Sequence, residues 1–270
     1  MSLPPKRPLI MGVINVTPDS FSDGGKFSAF DSALAHAEKL LSEGADILDV
    51  GGESTRPNAS PVDEEEEKRR ILPLISALAK RHPALISVDT MKSEVARAAL
   101  EEGANILNDV WGFQRDLQMA SVAAKANCPV VLMHNRKVIE PHGNIILDVI
   151  AFLRRSIEIA VENGVARENI ILDPGFGFGK TPEQNLQLVH SLSALKVFGL
   201  PILLGVSRKS TLGLVTKQPV PSDRLAASLA AAVIGVQNGA DIIRVHDVRA
   251  HCDAFATLAA INAAKLPSAQ

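Results

Sequence analysis

Nine polar residues stand at or just beyond the ends of eight short apolar runs: Asn15, Glu53, Asp89, Asn108, His134, Asp173, Ser207, Arg244 and His246. The runs cover 9–16, 45–51, 84–89, 105–110, 129–134, 169–174, 201–206 and 240–246. Gathered onto one rim, these ends would meet a small ligand together. Carboxylates and amides can match an edge of donors and acceptors, and a buried site must satisfy each such group. Arg244 and His246 lie two apart on one run, so in an extended strand their side chains share a face. A guanidinium bridges paired oxygens, which suits the pair to a phosphorylated group. A structural salt bridge for Arg244 and a satisfied histidine at 246 are the competing readings. Asp89, followed by Thr90, could instead cap a helix. The Pro-Gly-Phe-Gly that follows Asp173 speaks against a cap there.

The segments between the runs have helical periodicity. Residues 28–44 carry Leu34, Ala37, Leu40 and Leu41 on one face, with Gly44 as a stop. Residues 63–80 open on five acidic side chains and close on basic ones, as a helix dipole favours. That acidic run reads as a solvated helix start. Residues 91–103, 116–126 and 144–164 repeat the rhythm, and Thr181-Pro182-Glu183-Gln184 has the form of a capping box with proline at the first position. Residues 223–238 and 248–264 complete eight helix candidates for eight strands. Gly44, Gly103 and Gly239 each stand between a helix and a strand, where a left-handed residue is needed.

Eight alternating units predict an α/β chain with a (β/α)8 TIM barrel, a single domain over residues 1–270, and an active site at the C-terminal ends of the strands. An open doubly wound sheet is the alternative, since periodicity does not report closure. The loops after the first two strands, 15–25 and 51–57, are rich in glycine and hydrogen-bonding side chains and carry Phe21 and Arg56. They read either as ordinary surface connections or as lids over a polar ligand.

Composition narrows the classes. The 270 residues are 46% hydrophobic and 21% charged with a formal net charge of −2, which gives no basic field for nucleic acid or anionic membrane. Lys6 and Arg7 precede an apolar stretch, but Gly12, Asn15, Thr17 and Pro18 break it too early for a signal peptide. No run reaches the roughly 20 apolar residues of a membrane helix. Cys128 and Cys252 have neither metal spacing nor a disulfide framework and read as structural thiols in a reducing cytoplasm.

Seven segments, in order, resemble dihydropteroate synthases: NVTPDSFSDGG from Asn15, GGESTRP from Gly51, SVDT from Ser87, Asn108-Asp109, DPGFGFGKT from Asp173, SRKS from Ser207 and RVHD from Arg244. The resemblance runs from Gly12 to about Asp247. It implies a barrel enzyme that joins 6-hydroxymethyl-7,8-dihydropterin diphosphate to p-aminobenzoate, giving 7,8-dihydropteroate and diphosphate in folate biosynthesis. It further implies that Asp89, Asn108, Asp173 and Lys209 hold the pterin, with Met133 lining its pocket. Phe21, Thr55, Arg56, Pro57, Phe178 and Ser210 would build the p-aminobenzoate side. Asn15, Thr55, Arg56, Arg244 and His246 would hold the diphosphate, with Asn15 also a ligand to Mg²⁺. Lys209, Arg244 and His246 would carry the catalysis.

The same resemblance implies a homodimer, for which the alanine-rich segment 223–238 offers a surface, although it could equally pack on its own barrel. Met133-His134-Asn135-Arg136 departs from the family's commoner pattern, in which a second methionine and a glycine follow, and Trp111 stands where a small polar residue is usual. Taken alone, Arg208-Lys209 would read as a solvated basic pair. Two rival functions compete with the synthase. A pterin-binding module of a corrinoid methyltransferase should lack the NVTPDSFSDGG and SRKS segments. A non-catalytic pterin-binding paralogue should not keep Lys209, Arg244 and His246.

Overall fold

The structure is a computed structural model that describes residues 7–16, 26–54 and 60–264. Eight parallel strands form one sheet: β1 (Leu9–Asn15), β2 (Ile47–Gly51), β3 (Leu85–Asp89), β4 (Ile106–Asp109), β5 (Val130–Met133), β6 (Ile170–Asp173), β7 (Leu203–Leu204) and β8 (Ile242–Val245). Their order is β6-β5-β4-β3-β2-β1-β8-β7. A parallel bridge between Leu172 and Ile202 joins the two outer strands, and the Leu172 N–H donates to the Pro201 carbonyl at 2.9 Å. The sheet therefore closes into a barrel, and the open-sheet alternative is set aside.

Parallel neighbours require crossover connections, and helices supply them here. These are α1 (Lys26–Ser42), α2 (Glu64–Arg81), α3 (Ser93–Glu101), α4 (Gln118–Ala126), α5 (Ile145–Glu162), α6 (Pro182–His190), α7 (Ser210–Thr216), α8 (Leu225–Gln237) and α9 (Val248–Ala263). The helix α7 is additional to the eight expected. It is one short turn-rich segment after β7, too brief to show an apolar period. No helix among the described residues is long and apolar enough to cross a membrane.

The period-two alternation of the strands decides what fills the barrel. One face of each strand, with Ile10, Ile14, Leu48, Val50, Ile86, Val88, Leu107, Val130, Leu132, Leu172, Leu204 and Ile243, packs outward in a single core with helix residues such as Leu40, Ile71, Leu78 and Leu153. The opposite parity turns inward. Met11, Ile47, Ile106, Val131, Ile171, Leu203 and Ile242 form their own buried cluster, drawn from the early positions of their strands. That cluster fills the N-terminal end of the barrel with hydrocarbon. Two residues further along four of these strands, the inward positions are Asp49, Asn108, Asp173 and Arg244.

The helix ends follow their local chemistry. Asp63 caps α2 by accepting from the Glu66 N–H at 2.8 Å, with four glutamates in the first turn and Lys80 and Arg81 in the last. The acidic run is not wholly solvated, because Glu67 is buried at 1% exposure and pairs with Lys92. Asn144 caps α5 through the Ile146 and Leu147 N–H groups. Gly44, Gly103 and Gly239 take φ values of 105°, 109° and 103°, the left-handed geometry their joints require. Thr181 and Gln184 close the expected reciprocal capping box around Pro182 at the start of α6.

That box anchors the helix following the loop from β6. We predict that Thr181→Ala lowers unfolding stability by about 1 kcal/mol while Thr181→Ser stays close to wild type. Urea-unfolding midpoints of the two variants test this.

Candidate active site

The inward parity that is apolar at one end of the barrel gives Asn15, Asp49, Asp89, Asn108, Met133, Asp173 and Arg244 at the other. Strand register sets Asn15 against Gly51, Gly51 against Asp89, Asp89 against Asn108, and Met133 against Asp173. Arg244 reaches across the barrel to two acids on other strands. Its Nε lies 2.6 Å from Asp49 Oδ2 and its Nη2 lies 2.8 Å from Asp89 Oδ2. Asn108 Nδ2 lies 3.2 Å and 3.4 Å from the two Asp49 oxygens. Burial opposes the Arg244 charge, but Asp49 and Asp89 outweigh it and raise the guanidinium pKa. Burial pushes Asp89 up to about 7; Asp49 and Glu67 add to the rise and Arg244 opposes it.

The loop after β6 forms the next wall. Asp173 Oδ1 accepts from the Gly175 N–H at 2.7 Å, and burial raises the Asp173 pKa against the pull of Lys209. Gly175 has φ of +69°, and a Cβ there would lie 1.8 Å from the His134 carbonyl oxygen, so no side chain fits. Lys180 is buried beneath this loop, donating from Nζ to the Gly175 carbonyl at 2.7 Å and to the Phe178 carbonyl at 2.9 Å. Burial brings its pKa down to about 7. Asn185 ties the loop to α7, accepting from the Gly177 N–H at 2.6 Å and donating to Thr211 Oγ1 at 3.0 Å.

Lys209 enters from the β7 side. Its Nζ donates to the Phe176 carbonyl and sits 4.5 Å from the centre of the Phe178 ring, a cation–π geometry. Burial lowers its pKa to about 8, while Asp173 pulls the other way. The neighbouring Arg208 adopts a left-handed φ of 58° and pairs with Asp247 at 2.9 Å, so the two basic residues diverge and only Arg208 meets that carboxylate. His246 stands just past β8 with Nδ1 3.0 Å from Ser207 Oγ.

The structure thus brings Asp89, Asn108, Asp173, Lys209, Phe178 and Arg244 around one pocket, with Asn15 and Met133 on the inward face of their strands. Asp89 caps no helix, since α3 begins after Lys92. Ser210 is the exposed first residue of α7. Phe21, Thr55, Arg56 and Pro57 lie outside the described residues. Glu53 turns to Lys92 at 2.5 Å, and His134 is buried against Asp148 at 2.9 Å. Arg136 joins His134 on Asp148, which ties the β5 loop to α5. Trp111 sits in a turn whose N–H groups, its own and that of Phe113, donate to Asp109, and Arg115 lies 5.8 Å from its ring centre.

Two residues escaped the sequence reading. Asp49 lies inside an apolar run rather than at its end, although its place between Ile47 and Gly51 gives it the inward parity. Lys180 reads as part of the glycine loop, and nothing local tells that its ammonium folds underneath.

Comparison with known proteins shows what the whole chain is similar to. The pterin binding enzyme family matches residues 11–246. A dihydropteroate synthase of Clostridium beijerinckii is 51% identical over 90% of both chains. A Clostridium difficile dihydropteroate synthase, solved in the presence of pteroic acid, superposes with a TM-score of 0.92 at 47% identity, covering 97% of this chain and 99% of that one. A Xanthomonas albilineans dihydropteroate synthase with 4-aminobenzoic acid gives a TM-score of 0.93 at 43% identity, with coverages of 96% and 94%. The chain belongs to the dihydropteroate synthase family. Each of the seven motifs begins within the residues that the family matches.

The burial of Asp89 predicts a stability that depends on pH. Its folded pKa, about 7, exceeds the ordinary carboxylate value, so the folded state holds the proton more tightly. Its contribution to stability is complete below the unfolded value of about 4 and is lost as pH rises through about 7. The stability difference between wild type and Asp89→Asn should therefore fall across that window and level off above it. Urea unfolding at a series of pH values measures it, and a pH-independent difference counts against the assignment.

Proposed function

We infer that this chain catalyses the dihydropteroate synthase reaction, displacing diphosphate from 6-hydroxymethyl-7,8-dihydropterin diphosphate with p-aminobenzoate. The observation that carries this reading is the pocket at the barrel mouth, where buried carboxylates and an amide stand beside Arg244 and Lys209, within a chain so close to known synthases. The pteroic acid and 4-aminobenzoic acid found with two of those relatives are the pteroate framework and the second substrate of the same reaction. Both rival readings lose to this one. The match to synthases over 90% of both chains speaks against a methyltransferase module, and the presence of Lys209, Arg244 and His246 speaks against a non-catalytic paralogue.

In this reading, Asp173 accepts the paired N–H groups of the 2-aminopyrimidine edge, and Asp89 and Asn108 complete the pterin's hydrogen bonds. Met133 covers one side of the ring and Lys209 the other. As the carbon–oxygen bond opens, the pterin ring delocalises the positive charge on its methylene carbon. Arg244 and His246 draw off the charge on the departing diphosphate. Phe178, Ser210, Phe21, Thr55, Arg56 and Pro57 align the amine and keep water from the carbon. No strong base is needed, because the aniline nitrogen is neutral at physiological pH.

The metal of this reading is Mg²⁺, which Asn15 would hold. Among the described residues no group of three or more His, Cys, Asp or Glu gathers as a metal centre. A single amide oxygen at the end of β1 fits an ion that takes most of its ligands from phosphate and water. When bound, it would neutralise charge on the leaving diphosphate.

The chain acts in the cytoplasm as a single-domain homodimer in this reading. Exposed Leu214, Val215, Ile234 and Ile261, on three helices that pack in succession, offer an apolar surface for the second copy. It binds small molecules and neither nucleic acid nor membrane, in keeping with its net charge of −2.

Product formation from both substrates with Mg²⁺, and its inhibition by a sulfonamide competing with p-aminobenzoate, tests the function directly. Arg244→Ala should lower kcat by about 10²-fold, the scale of a lost charge-stabilising donor. Asp173→Ala should remove measurable pterin binding in calorimetry. Native turnover in the first variant or native affinity in the second would refute these roles.

A further inference from the structure

Asp49 has no role toward the substrates in the proposed reaction, yet it is wholly buried at the centre of the barrel. It meets two groups of the pocket at once, Arg244 Nε at 2.6 Å and Asn108 Nδ2 at 3.2 Å. An ionised carboxylate accepts hydrogen bonds and donates none. The atom of Asn108 that faces both Asp49 oxygens must therefore be its NH₂ group. The amide cannot turn over without setting its own oxygen against the carboxylate. Among the described residues its Oδ1 has no hydrogen-bond partner and is not enclosed, so it reaches the pocket.

We propose that Asp49 is a positioning residue that sets the hydrogen-bonding polarity of the pterin pocket, locking Asn108 so that it offers an acceptor to a ring N–H of the pterin. The same carboxylate holds Arg244 by Nε and leaves Nη1 without a hydrogen-bond partner among the described residues. Asp49 thus orders two ligand-facing groups from a place the ligand does not reach. The inference rests on the pterin reading of the site.

A polarity swap tests it. In Asp49→Asn the oxygen that keeps Arg244 is also the one nearer Asn108, at 3.2 Å, while an NH₂ group replaces the other oxygen, at 3.4 Å, so one of the two acceptors that hold Asn108 becomes a donor. Asn108 is then no longer locked and presents either its oxygen or its NH₂ group to the pocket. In the double variant Asp49→Asn/Asn108→Asp, the carboxylate at 108 accepts from the amide at 49 and again offers an acceptor to the ligand, with the total charge unchanged. Asn108→Asp alone sets two carboxylates face to face.

Binding of 6-hydroxymethyl-7,8-dihydropterin diphosphate is measured by calorimetry, with thermal melts run on each protein. Each single variant is expected to weaken binding at least tenfold, and the double variant to return to within about threefold of wild type. In turnover, the single variants raise KM for the pterin substrate and leave KM for p-aminobenzoate near wild type. Unchanged binding in Asp49→Asn, or a double variant as weak as the single ones, overturns the proposal. Should Asp49→Asn fail to fold, the comparison of Asn108→Asp with the double variant carries the same decision. Failure of the wild-type protein to bind the pterin would overturn the functional reading instead.

Discussion

A guanidinium inside a barrel has to be matched by charge, and the contact of Arg244 with Asp49 and Asp89 does this across the whole width of the site. Removing Arg244 would leave two acids without their shared cation in a place that water reaches poorly, at a cost of several kcal/mol. The contact joins β8 to β2 and β3, strands far apart in sequence, and so ties the barrel's closure to the arrangement of its ligand-facing groups. Asn108 is drawn into the same network, and Asp89 takes its raised pKa from burial and from the second acid beside it. Burial, pairing and reactivity are in this sense one fact about the molecule.

The barrel can hold such charges because its two ends are filled differently. The inward cluster from Met11 to Ile242 closes the N-terminal end with hydrocarbon and keeps the polar layer above it at a fixed depth. Above that layer, the loop from β6 is held from below by Lys180 and from the side by Asn185, so that Phe178 meets Lys209 at van der Waals range. Gly175 permits this by letting the loop pass against the carbonyl of His134. The β5 and β6 loops are consequently one packed unit, and the Asp148 contacts of His134 and Arg136 fasten that unit to α5.

Much of this was legible in the amino-acid sequence, for reasons that are local. The strands showed as apolar runs because both of their faces are buried, and the helix boundaries showed in Asp63, Asn144, Thr181 and the joint glycines. The inward acids and amides at 89, 108 and 173, and the guanidinium at 244, could be picked out because each stands at or near the end of its run. Asp49 hid inside such a run, where only the alternation of its neighbours marks it as inward. Lys180 hid because a buried lysine and a solvated one have the same neighbours in sequence. The short helix α7 hid because seven residues do not establish a period.

The order of the strands and of the longer helices, the caps and the motif residues were determined by the sequence alone, since each depends on groups within a few residues of one another. Only the tertiary structure decided that the sheet closes, that Arg244 spans from Asp49 to Asp89, and that Asn108 has its amide turned toward a carboxylate. Those outcomes depend on groups as many as 195 residues apart, whose meeting is fixed by strand register and by the need to pair every charge that the barrel encloses.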